Sequence, residues 1–400
     1  MDAKRVIEVY RTNRRVLSDV VRTIRRLAGI LRKEGFERIV IMNFCGTHEW
    51  TTVSYGIRSL VPENVELVAG PGCPVCVTPS RVVEHALKLA SEGVRVYVFG
   101  DAYRLRAVRC VEGAASLAEA RALGYDVKVV YSFLDAIRDA GDREAVFLGI
   151  GFETTAPGYA LPLVRGMVPP NLSLLTSLRL TPPAARYALR LVRERGMAEG
   201  YAVIAPGHVS TVTGPEPWEK VSKDLGVPVV ISGFEPIDLL ISVSLALKMI
   251  HDGEVGAVNE YSRAVRPGGN RLSLAVIREA FEVYDAAWRG IGVIEQSGLR
   301  LRERYSDHDA IVRYGLRPVE DGFTGDDLPP GCICSEVMLG LARPIDCPMF
   351  MGRCTPGRPW GPCMVSVEGT CSVWARHGGW RVDVGLIKEL GVRDVSGRAG

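Results

Sequence analysis

Arg38-Ile-Val-Ile-Met-Asn-Phe-Cys-Gly-Thr-His-Glu49 opens as an apolar, β-branched run and breaks at a glycine directly after a cysteine. A run that is apolar on both faces is what a strand buried inside a parallel sheet requires. The same rhythm repeats outward from it. Similar runs at residues 65–69, 94–99 and 127–131 alternate with helical stretches at 82–92 and 117–123, and a second series follows at 145–149, 172–178, 202–205 and 227–231. Several of these runs end in glycine-bearing loops: Cys45-Gly46, Gly70-Pro-Gly72, Gly151-Phe-Glu-Thr-Thr155, Pro206-Gly-His-Val-Ser210 and Gly233-Phe-Glu-Pro236. The pattern predicts an α/β protein with two similar open parallel-sheet units of Rossmann-like βαβ construction. Functional groups in such sheets collect beyond the carboxyl ends of the strands, so the loops are expected to converge on a cleft.

The expected units span residues 35–140 and 141–283. Before them, residues 5–34 place Leu17, Val20, Val21, Ile24, Leu27 and Leu31 on one face, with arginines largely elsewhere. This predicts a basic amphipathic helix over 1–34, packed through one side with its charged face in water. From about residue 284 the strand-like runs thin out, and Gly/Pro-rich sequence surrounds six cysteines. A third, smaller irregular and helical domain is expected over 284–400, since irregular backbone suits the wrapping of an inorganic centre.

At 400 residues the chain exceeds one ordinary core. The apolar share is 47% and the charged share 24%, both globular values, and a net charge of +3 over this length gives no reason to expect nucleic acid. The longest greasy run, residues 237–250, is interrupted by Asp238 and Lys248, so no membrane span is expected and the cytoplasm is the expected compartment. There, ten cysteines point to metal and redox chemistry rather than to structural disulfides. No phosphate loop occurs, and Gly149-Ile-Gly151 lacks the third glycine of a dinucleotide fingerprint.

The cysteines form two groups. The proximal group is Cys45, followed by His48 and Glu49, and the Cys73-Pro-Val-Cys76 pair ahead of a helix whose amino terminus favours thiolate. His48 is placed to take the thiol proton, and Glu49 to orient that imidazole. Glu153, Thr154 and His208 are expected to line the facing loops. The distal group reads Cys332-x-Cys334-x12-Cys347-x6-Cys354-x8-Cys363-x7-Cys371. Four thiolates complete a cubane and two remain, able to form a disulfide that exchanges electrons with it. Zinc is less well matched, because Cys-x2-Cys knuckles are absent from this segment and His377 is the one nearby imidazole. A thiolate-based metal enzyme or assembly factor follows, beside two rivals: an iron-sulfur thiol-disulfide oxidoreductase and a zinc-stapled binding protein.

Asn43-Phe-Cys45-Gly-Thr-His-Glu49, Gly70-Pro-Gly-Cys73-Pro-Val-Cys76, Gly151-Phe-Glu-Thr-Thr-Ala-Pro157, Pro206-Gly-His-Val209, Cys354-Thr-Pro and Cys363-Met-Val-Ser-Val-Glu-Gly-Thr-Cys371 together resemble the HypD family of hydrogenase maturation factors. The resemblance implies a scaffold on which the Fe(CN)2CO unit of nickel-iron hydrogenase is built, in complex with a HypC-like chaperone, supplied with cyanide by a HypE-like donor, and serving the hydrogenase large subunit indirectly. It implies that Cys45 holds the transient iron and that Cys73 and Cys76 act as a redox pair. A [4Fe-4S] cluster is implied on Cys334, Cys347, Cys354 and Cys371, with Cys332 and Cys363 as the leftover pair and Cys363 and Cys371 able to exchange roles. Ser335 and Gly357 depart from the family's usual residues and remove no sulfur.

Overall fold

The computed structural model describes residues 14–378. Of the expected amino-terminal helix, Arg14–Lys33 is described and is helical, and residues 1–13 lie outside the described residues, as do 379–400. Ile24, Leu27, Ala28 and Leu31 of this helix are buried against Ile39, Ile41 and Ile204 of a sheet and Leu239, Leu240 and Val243 of the helix Pro236–Asp252. Burial of each large aliphatic side chain stabilises by roughly 1.5–3 kcal/mol, which is what holds an arginine-rich helix in place.

Eleven strands form two sheets among the described residues. Strands β1 (Ile39–Asn43), β2 (Val65–Ala69), β7 (Gly200–Pro206), β8 (Val229–Ser232) and β9 (Ala257–Asn259) make a wholly parallel sheet in the order β2-β1-β7-β8-β9. Strands β3 (Arg95–Phe99), β4 (Val127–Val130), β5 (Ala145–Gly151), β6 (Leu172–Arg179), β10 (Phe281–Trp288) and β11 (Gly292–Leu301) make the second, ordered β10-β11-β6-β5-β3-β4. In it β11 runs antiparallel to both of its neighbours, β10 and β6, and the remaining pairs are parallel. The two expected α/β units are thus present as sheets, with helices between their strands.

Sheet membership alternates along the chain, so linear boundaries at 140 and 283 do not separate the sheets. The chain builds β1 and β2, leaves for β3 to β6, and returns through the helix Thr181–Glu194 to lay β7 beside β1. Residue 284 falls inside β10, whose hairpin with β11 was not foreseen as sheet. Its period-2 signal is broken by a register shift between Tyr284 and Ala286 and by the left-handed Gln296, at φ 49°.

This crossing positions the site. In the first sheet the chain runs from β1 to β2 on one side and from β7 to β8 and β9 on the other, so the crevice between β1 and β7 is the topological switch point where open α/β sheets bind ligands. Cys45 emerges there. The cysteine-rich segment packs into the same core as Cys73, Cys76 and Val77, with Val337, Met338, Cys363 and Met364 buried against residues of the second sheet such as Ile150 and Leu175.

Candidate metal centre and its thiol cavity

Cys45 follows β1 and is the extended residue ahead of the helix Gly46–Ser54. Its backbone N–H donates to Asn43 Oδ1 at 3.4 Å. The loop Gly70-Pro-Gly72 lies against it so closely that a Cβ on Gly70 would strike the Phe44 ring and one on Gly72 the peptide joining Phe44 to Cys45. Glycine is demanded here by close approach rather than by backbone angle. Cys73 and Cys76 are joined as a disulfide, both buried. Cys45, Gly72, Cys73, Cys76, Cys363 and Glu368 line one small cavity of about 10 Å³, room for roughly one water.

The electrostatics of Cys45 oppose ionisation. Burial, then the Glu368 carboxylate, push its thiol up to about 11, against hydrogen bonds from the backbone N–H groups of His48 and Thr47. The thiol is therefore protonated at neutral pH, and a bound cation must displace the proton. Asp101, just past β3 of the second sheet, acts electrostatically on Glu368, whose own carboxyl is raised by burial and by that charge. Loops from both sheets thus meet at Glu368, the residue that sequence reasoning quoted only as part of a motif between two cysteines.

His48 and Glu49 do not form the expected relay. His48 is fully buried, its Nε2 2.8 Å from the Gly233 carbonyl as donor, its Nδ1 buried without a partner, and its ring stacked on Phe234 at 4.8 Å. Burial holds its pKa down to about 4. Glu49 turns elsewhere, accepting from Arg58 at 2.9 and 3.0 Å, Asn43 Nδ2 at 3.2 Å and Trp374 Nε1 at 2.6 Å. With those oxygens engaged, it fastens the Cys45 helix to the carboxyl-terminal helix Thr370–His377 instead of orienting an imidazole. Arg58 and Trp374 were not foreseen; Arg58 also lies over the Trp374 ring at 5.2 Å.

Glu153, Thr154 and His208 do not line the cavity. Glu153 is buried and accepts from Thr181 N–H at 2.7 Å and Oγ1 at 2.9 Å, satisfying the start of the following helix, and burial raises it to about 7. Thr154 is exposed. His208 is exposed and stacks on Phe234 at 3.7 Å, which links it to His48 through one shared ring.

Every distal cysteine except Cys332 is buried. The Sγ atoms of Cys334, Cys363 and Cys371 lie within 4.8 Å of one another, and Cys332 Sγ is 3.1 Å from Cys334 Sγ. Cys363 is also hydrogen-bonded by Cys334, Cys371 and the backbone N–H groups of Cys371 and Thr370 at a helix start, which hold its thiol well below the ordinary value. Trp360 and Gly361 N–H groups donate to Cys354 Sγ at 3.3 and 3.5 Å, and a Cβ on Gly361 would strike the sulfurs of Cys332 and Cys334. Cys347 and Cys332 act on Cys354 electrostatically. A buried, soft donor set with N–H groups aimed at sulfur and no room for an extra methyl group fits a thiolate-bound metal or cluster. Of the expected leftover pair, Cys332 has its sulfur against Cys334, and Cys363 has its sulfur in the group with Cys334 and Cys371.

A family model described as HypD, hydrogenase formation hypA family, matches residues 18–378, nearly all of the chain. The chain belongs to the HypD family. Among curated HypD proteins it is 38% identical to the hydrogenase maturation factor HypD of Cupriavidus necator over 90% of this chain and 96% of that protein. It is 37% identical to HypD of Rhizobium leguminosarum bv. viciae over 94% and 97% of the two chains, and 38% identical to HypD of Rhodobacter capsulatus over 90% and 94%. Among the described residues no helix is long and apolar enough to cross a membrane.

Proposed function

We propose that this HypD-family chain is a cytoplasmic scaffold that holds one iron ion on Cys45 while cyanide and carbon monoxide ligands are installed, for later delivery to the large subunit of a nickel-iron hydrogenase. The observation that carries this reading is the shared cavity. It brings Cys45, at the switch point of one sheet, together with the Cys73–Cys76 disulfide and with Cys363 of the distal sulfur set. A soft thiolate is the ligand that low-spin ferrous iron with strong-field diatomic ligands accepts.

The chain's residues supply three services. Cys45 yields its proton on binding the cation, so affinity rises with pH. Gly70 and Gly72 allow the disulfide loop to close over the thiol. Glu49, Arg58 and Trp374 fix the Cys45 helix against the cysteine-rich segment. Because the cavity admits about one water, an iron ion bearing diatomic ligands requires its mouth to open, a role suited to a HypC-like chaperone bound over it, with a HypE-like cyanide donor next.

For the distal set we propose a [4Fe-4S] cluster, which supplies one-electron chemistry when bound. The associations of Cys354 with Cys332 and Cys347, and of Cys363 with Cys334, support Cys332, Cys347, Cys354 and Cys371 as ligands and Cys334 with Cys363 as the redox pair. This exchanges Cys332 and Cys334 relative to the family-based expectation. Cys363, facing both sets, is the connecting sulfur. Anaerobic co-purification with the HypC homologue, followed by iron counting, tests the whole reading. Cluster iron plus one further iron is expected, with only the extra iron lost in Cys45→Ala.

The rival reading, an iron-sulfur thiol-disulfide oxidoreductase, draws on the disulfide lying beside Cys363. It predicts turnover of a disulfide substrate without any HypC-like partner.

A further inference from the structure

Arg289 sits in the turn between β10 and β11 and is fully buried. Its Nε donates to the Asp327 carbonyl at 3.1 Å and one Nη to the Arg106 carbonyl at 2.8 Å, while the other, Nη1, is buried with no partner. Among the described residues Arg289 forms no ion pair: the Asp327 oxygens take the N–H groups of Ser80 and Gly290 instead. A guanidinium keeps its proton, so this is a charge removed from water without a salt bridge, an arrangement that costs several kcal/mol unless an anion compensates it.

The surroundings contain a candidate for that anion. Gly290, the next residue, has φ +72°, and a Cβ there would meet the side chains of Leu328 and Ser335, so the turn lies directly on the segment that carries Cys332 and Cys334. Burial acts most strongly on Arg289, against its charge; the Asp327 carboxylate, then the sulfurs of Cys334 and Cys332, then Glu84 act in its favour. Arg179 gives the contrast: about as buried, it directs donors to the Ala287 and Leu178 carbonyls and to Tyr284, and none of its nitrogens is both buried and without a partner.

We propose that Arg289 is the buried counter-charge of the thiolate-bound cluster and holds its reduction potential up. The inference rests on the cluster reading above. Cysteinate ligands around an iron-sulfur core leave net negative charge, and one added electron makes it more negative; a fixed cation nearby favours that reduced form. Arg289 is on this account a positioning and tuning residue that touches no substrate.

The test is a potentiometric titration with dithionite of anaerobically purified wild type, Arg289→Gln and Arg289→Lys, read by electron paramagnetic resonance and iron content. In Arg289→Gln the oxidised-to-reduced ratio at fixed potential is expected to rise at least about tenfold, a shift of ~59 mV to more negative potential for a one-electron couple. Arg289→Lys should stay near wild type. If Arg289→Gln loses iron, restoration of iron by Arg289→Lys supports the charge role, and equal loss in Arg289→Lys overturns it. A wild type with its cluster and an unshifted potential in Arg289→Gln overturns this proposal alone, whereas a wild type without cluster iron overturns the cluster reading along with it.

Discussion

Trp374 donates its indole N–H to Glu49 at 2.6 Å, joining the last described helix to the helix that begins at Cys45. Glu49 is almost fully buried and Arg58 is its charge partner, about a third exposed. Removing the carboxylate strands a cation and an indole N–H at once. Glu49→Ala is expected to lower unfolding free energy by about 3 kcal/mol, and Trp374→Phe by about 1 kcal/mol, in urea titrations. Equal midpoints for Glu49→Ala and wild type would contradict this bracing role.

Cys45 is predicted to alkylate slowly at neutral pH and faster as pH approaches 11, because its thiol is held protonated by burial and by the Glu368 charge. Glu368→Gln removes that charge and should accelerate iodoacetamide modification of Cys45 at pH 8 to 9, measured by peptide mass spectrometry. An unchanged rate in the variant would remove Glu368 from the account.

His48 gives a signed pH dependence. Its folded pKa, about 4, lies below the unfolded value of about 6.5, so the unfolded chain binds the proton first. The stability tied to a neutral His48 is present above about pH 6.5 and is lost as pH falls toward 4, up to about 3 kcal/mol for a shift of that size. Glu153 and Glu260, both raised to about 7 by burial, contribute with the opposite sign over much of that range, so the comparison must be with His48→Gln rather than with a flat baseline. Denaturation midpoints of wild type and His48→Gln should converge as pH drops from 6.5 to 4; parallel curves would refute the assignment.

Gly361→Ala places a methyl group where the Cys332 and Cys334 sulfurs lie. Iron content and visible absorbance of the anaerobically purified variant are expected to fall severalfold relative to wild type. Full iron content would show that the two sulfurs can be displaced without loss of the centre.

The loops that line the cavity were legible because they are local in sequence. Cys45, Gly46 and the Gly70–Cys76 loop are fixed by strand ends and by close approach, which motif and spacing express directly. The strands were read from apolar runs, and β2 was read to the residue, since a buried parallel strand leaves a continuous signature. What escaped depends on tertiary partners. Glu49 belongs to Trp374, more than three hundred positions away, and nothing near it in sequence reveals that; its adjacency to His48 suggested a relay that the helix does not build. The interleaving of the two sheets was hidden for the same reason, because β1 looks identical whether its neighbour is β3 or β7. Arg289 was invisible, since a buried arginine reads like any surface one until its surroundings are known.

Infrared spectroscopy of the anaerobic complex with the HypC homologue tests the central claim, comparing wild type with Cys45→Ala. Cyanide and carbonyl bands should be present in wild type and absent, or reduced to a trace, in Cys45→Ala, while the distal iron remains. Bands of undiminished intensity in Cys45→Ala would show that the iron is held elsewhere.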